Sequence, residues 1–135
     1  MKAEKIDHIC IAVKNLDQAM KTYESVLGLE LDTLYINYNE KIKVARYYLN
    51  DVALELMEST SPDGEVAKFI ERQGEGVFLI SYRVPDVVAG LSELQEKGYK
   101  TIDSKPRTIM GQRFAFINYP REMSGVLTEI IDKLD

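Results

Sequence analysis

Thiol and imidazole are scarce in this chain: 135 residues include one cysteine, Cys10, and one histidine, His8, with no tryptophan. A single cysteine excludes an internal disulfide and any cysteine cluster for zinc or an iron–sulfur centre, and it fits a reducing, cytoplasmic setting. Long apolar runs are absent too. Nothing approaches the ~20 residues of a membrane span, and MKAEKIDH lacks the apolar core of a signal peptide, so a soluble protein is expected. Lys and Arg number 17 against 22 Asp and Glu, a net charge of −5 with no basic block, which argues against a nucleic-acid partner. Apolar residues, by contrast, make up 45% of the chain, enough to fill the core of one compact domain of this length.

The strand period appears first in KIDHICIAV, residues 5–13, where His8, Cys10 and Ala12 share one face and Ile9, Ile11 and Val13 the other. Asn15 then opens a helix, with Gln18 at capping-box spacing, an apolar stripe of Leu16, Ala19, Met20, Tyr23 and Leu27, and Gly28 as a stop. Three strands are expected next, near 29–37, 42–50 and 52–59, with Asn50-Asp51 as a tight turn between the last two. SPDGEVAKFIERQGEG, residues 61–76, reads as a linker containing a helical turn or two. After it the order returns: a strand at 77–84, a helix capped by Asp86 and ended by Gly98, then strands at YKTIDS, QRFAFINY and GVLTEIID.

The chain therefore repeats itself as βαβββ, about 5–60 and about 77–132, in a single domain. The expected class is α+β, paired βαβββ modules forming a cleft between curled mixed sheets. Aligning DHICIAVKNLDQAM with FLISYRVPDVVAGL sets His8 against Leu79, and aligning ALEL with LTEI sets Glu55 against Glu129. If the sheets curl toward each other, His8, Glu55 and Glu129 converge.

A mid-strand glutamate with apolar neighbours costs several kcal/mol to bury ionised and unpaired, so something must compensate. A divalent cation would, and one imidazole with carboxylates suits Mg, Mn, Co or Ni better than a thiolate-seeking ion. Taken singly, each residue has an ordinary explanation: a satisfied histidine, an edge-strand glutamate, a glutamate paired with Lys or Arg. Cys10 reads as small core packing. The Tyr47-Tyr48 pair reads as sheet packing, and Met57 and Met123 as gap-filling. KPRTIMGQR sets Lys105, Arg107 and Arg113 around Gly111, where they can cradle an anionic substrate or form a solvated turn; Arg121 can join them.

DHICIAVKNLDQAMKTYESVLGLE, VALELMESTSPDGEVAKFIERQGEG, KPRTIMGQRFAFINYP and GVLTEIID together resemble the vicinal oxygen chelate (glyoxalase/bleomycin resistance/dioxygenase) superfamily over nearly the whole chain. Within it they are most similar to the methylmalonyl-CoA epimerases and next to lactoylglutathione lyase (glyoxalase I). The resemblance implies a homodimer and a divalent metal (Co, Ni, Mn, Mg or Zn) held by His8, Glu55 and Glu129. Leu79 stands where the family has a second histidine, and Tyr119 where another precedes a proline, so the metal is either held by three residues and water or lost. The implied chemistry is proton abstraction next to the thioester carbonyl of an acyl-CoA or other thiol conjugate, with Glu129 or Glu55 as base. The alternatives are a glyoxalase I-like lyase and a metal-free protein that sequesters a small ligand such as an antibiotic.

Overall fold

The computed structural model describes residues 1–133. The chain divides into two compact units, residues 8–78 in one and residues 1–7 with 79–133 in the other. The boundaries fall inside strands: β1 (Lys5–Ala12) changes unit between Asp7 and His8, and β5 (Gly76–Arg83) between Phe78 and Leu79.

The first unit holds α1 (Leu16–Leu27), β2 (Leu31–Asn37), β3 (Ile42–Leu49), β4 (Val52–Ser59) and α2 (Glu65–Gln73). Its strands run β2-β3-β4-β1, with β4 and β1 parallel and the other pairs antiparallel. Asn15 caps α1 by accepting from the Gln18 backbone N–H at 3.0 Å, and Gly28 ends it in the left-handed conformation. Alternation along β3 and β4 sends Ala45, Tyr47 and Leu56 toward α1, where they pack with Val13 and Leu16. Leu27, expected in the apolar stripe, is exposed. Arg46 and Glu55, on the opposite phase of the same strands, point to the face without the helix. The turn between them is two residues long, Asn50 and Asp51, and Asn50 takes a positive φ of 55°. The linker holds a nine-residue helix, α2, where a turn or two was expected; Val66 and Phe69 bury its inner side.

The second unit repeats the plan with α3 (Val87–Glu96), β6 (Arg107–Ile109), β7 (Gln112–Asn118) and β8 (Leu127–Lys133), its strands running β5-β8-β7-β6 with β5 and β8 parallel. Asp86 caps α3 through the Ala89 N–H, and Val87 and Leu91 pack on Ala115, Ile117 and Ile130. One expected strand is absent. Residues 99–104 run beside β7 as irregular chain, because Asp103 uses its carboxylate to accept the Phe116 N–H while the Ile102 and Asp103 N–H groups bond the Ile117 and Phe116 carbonyls. The strand forms later, at 107–109, closing a hairpin over Met110 and Gly111, both at positive φ. These are βαβββ modules of an α+β fold.

Candidate functional site

Three donor groups meet in the first unit. His8 and Cys10 lie two residues apart on β1 and so on one face, and Cys10 is the register partner of Glu55 across the parallel β1/β4 ladder. One donor atom from each of His8, Cys10 and Glu55 lies within 4.8 Å of the others. Cys10 is wholly buried and Glu55 is 4% exposed. The Cys10 thiol donates to Glu55 Oε1 at 3.3 Å. Expected as core packing, Cys10 is as buried as that reading requires, yet its sulfur also belongs to this polar group.

Glu55 is not left unpaired, and its compensation is an arginine. Arg46, its partner across the β3/β4 hairpin, donates from Nε to Glu55 Oε2 at 2.7 Å and from Nη2 to the Tyr35 hydroxyl at 3.1 Å. Burial works against the guanidinium's charge, but the charge and hydrogen bond of Glu55 outweigh it, so Arg46 stays firmly protonated. Burial, reinforced by the negative charge of Glu55, pushes the Tyr35 phenol up to about 12. The guanidinium lies 5.3 Å from the Tyr35 ring centroid. Arg46 thus supplies, from the next strand, compensating charge of the kind expected from a divalent cation.

Glu129, in the second unit, is 6% exposed and accepts from the Ser81 hydroxyl at 2.7 Å. Ser81 is its register partner across β5/β8, as Cys10 is that of Glu55 across β1/β4. The duplication thus preserves a donor-to-glutamate bond in each unit, thiol in one and hydroxyl in the other. Leu79, the repeat counterpart of His8, is buried beside Leu127 in register.

The basic residues of the 105–113 hairpin have partners of their own. Arg113 donates two bonds to the Asp132 carboxylate, at 3.0 and 2.9 Å, while Asp132 also accepts the Val87 N–H at the start of α3. Arg107 bonds Asp103 at 2.9 Å and stacks over Phe116 at 5.0 Å. Lys105 is exposed. Arg46, Tyr35 and Ser81 were missed in the sequence. For Arg46 a signal existed: it stands four residues before the two-residue turn and Glu55 four after it, which makes them cross-strand partners.

The donor set fits a divalent cation: an imidazole, a carboxylate and a thiol within reach of one centre, a combination borderline ions accept.

Comparison with known proteins agrees with this architecture. The sequence profile of the glyoxalase/bleomycin resistance protein/dioxygenase superfamily matches residues 7–116, and the chain belongs to that superfamily. Within it the chain is similar to methylmalonyl-CoA epimerases. A structure of methylmalonyl-CoA epimerase in complex with methylmalonyl-CoA and NH4+ superposes with a TM-score of 0.89 at 32% identity, covering 98% of this chain and 96% of that one. The ethylmalonyl-CoA/methylmalonyl-CoA epimerase of Cereibacter sphaeroides is 25% identical over 93% of this chain and 96% of its own length. YqjC, an uncharacterized protein of Bacillus subtilis, is 35% identical over 95% of this chain and 91% of its own. No helix among the described residues is long and apolar enough to cross a membrane.

Proposed function

We propose that this protein is an isomerase of the methylmalonyl-CoA epimerase type, moving the proton on the carbon next to an acyl-CoA thioester carbonyl. The observation that carries the reading is the His8–Cys10–Glu55 donor group, half-buried at His8 and buried at Cys10 and Glu55, in a chain that matches an epimerase holding methylmalonyl-CoA over 98% of its length. His8 and Glu55 would hold the divalent cation. A cation so bound supplies electrophilic polarisation of the thioester carbonyl. The chain's own residues do the rest. Arg46 engages Oε2 of Glu55 and fixes its orientation, so Glu55 serves as an anchored ligand. Glu129, steadied by Ser81, is the base that takes the proton. Lys105 on the β6–β7 side contributes positive charge for the phosphates of the CoA moiety.

The test is proton exchange. Metal-reconstituted protein incubated with methylmalonyl-CoA in D2O is expected to incorporate deuterium next to the carbonyl, and absence of exchange with any of Co, Ni, Mn, Mg or Zn would overturn the reading. A second reading, a metal-free protein that binds a small ligand, is favoured by the Arg46–Glu55 ion pair, which already balances the carboxylate, and by the apolar side chain at Leu79. It predicts tight acyl-CoA or drug binding that is unaffected by chelator, together with no exchange.

A further inference from the structure

We infer that Cys10 is a metal ligand: as a thiolate it completes, with His8 and Glu55, a cation site of mixed sulfur, nitrogen and oxygen donors. This rests on the reading that His8 and Glu55 hold a divalent cation, and it names the third donor and the class of metal.

Zinc-like ions hold sulfur at about 2.3 Å and nitrogen or oxygen at about 2.0–2.2 Å, which sets donors of one tetrahedral centre about 3.3–3.8 Å apart. The Cys10 sulfur and Glu55 Oε1 are already 3.3 Å apart, and the whole set lies within 4.8 Å. The thiol proton now occupies the line between sulfur and carboxylate. A cation entering there replaces that proton, which leaves to solvent as the sulfur–metal bond forms, with no change of oxidation state.

Arg46 lies 2.7 Å from Glu55 and already neutralises it, so a divalent ion bound by His8 and Glu55 alone would leave two uncompensated positive charges in a buried place. Within the donor group the thiol is the one further side chain able to become an anion, and as thiolate it removes one of them. The same donor shifts selectivity, because thiolate with imidazole favours Zn, Co or Ni over Mg or Mn.

The test is cobalt spectroscopy on the reduced full-length protein. A sulfur-to-cobalt charge-transfer band is expected in the near ultraviolet, absent in Cys10→Ser. That variant is expected to bind cobalt more than about tenfold more weakly, since losing even a group that only supports a ligand costs that much. Cobalt bound without the band, with affinity unchanged in Cys10→Ser, would overturn the role of Cys10 and leave the His8–Glu55 reading standing. Failure of the wild-type protein to bind either cobalt or zinc would overturn both. X-ray absorption on the zinc-loaded wild-type protein decides the matter should Cys10→Ser not fold: one sulfur near 2.3 Å is expected, and a shell of nitrogen and oxygen alone would overturn the inference.

Discussion

Arg46 holds Glu55 from the adjacent strand, Nε to Oε2 at 2.7 Å, and so places a fixed cation against a carboxylate assigned to a metal. With the proposed cation bound, two positive centres would compete for one anion. The contest is measurable.

Replacing Arg46 with methionine keeps much of its volume and removes its charge. Breaking a fully buried pair costs about 3–5 kcal/mol, and Arg46 keeps about a third of its side chain in solvent, so a loss nearer ~1–3 kcal/mol is expected. Urea denaturation without metal should show it. Adding zinc or cobalt should close most of the gap, because the ion takes over the charge of Glu55. An equal loss with and without metal would mean that no cation sits there.

Glu129→Gln keeps an oxygen for the Ser81 hydroxyl and removes the ability to take a proton. Deuterium exchange should fall by about 10²–10⁴-fold, the usual contribution of a general base, with metal content retained. Exchange at the wild-type rate would remove Glu129 from the mechanism.

In the basic hairpin Arg107 and Arg113 are bonded to acids, while Lys105 is exposed and is the charge proposed for substrate. Arg113→Met should lower stability by about 2–4 kcal/mol in chemical denaturation, because it strands Asp132, which is only 2% exposed. Lys105→Ala should leave the melting temperature unchanged and raise KM for acyl-CoA severalfold, an effect that shrinks in high salt. A destabilised Lys105→Ala variant, or an unaltered KM, would contradict this division.

Acid should loosen the segment before α2. Asp63 accepts from the Lys41 ammonium at 2.6 Å and from the Ser61 hydroxyl, and these bonds hold its carboxyl at about 2, below its ordinary 3.8. A carboxyl lowered on folding stabilises above its unfolded pKa, so this contribution is full above about pH 4 and disappears as pH falls through about 2. Carbon-detected NMR titration should give a midpoint near the lower value, returning toward 3.8 in Lys41→Met.

Local rules went a long way here. Asn15, Gly28 and Asp86 mark helix ends by capping chemistry alone, and the internal repeat fixes the order βαβββ without any contact being known. The pairing of Arg46 with Glu55 was also legible, since a two-residue turn fixes register on both sides. The strand expected at 99–104 failed for a physical reason: Asp103 diverts its carboxylate to the backbone of β7, a tertiary bond that no local propensity reports.

The amino-acid order by itself determined the periodicity, the caps, the duplicated modules and the face that His8 shares with Cys10, because those follow from neighbours a few residues apart. Only the tertiary structure decided that Cys10 meets Glu55 and that Arg113 belongs to Asp132. Cys10 and Glu55 are 45 residues apart in the chain, and what joins them is a parallel strand pairing whose register depends on how the intervening helix and hairpin pack.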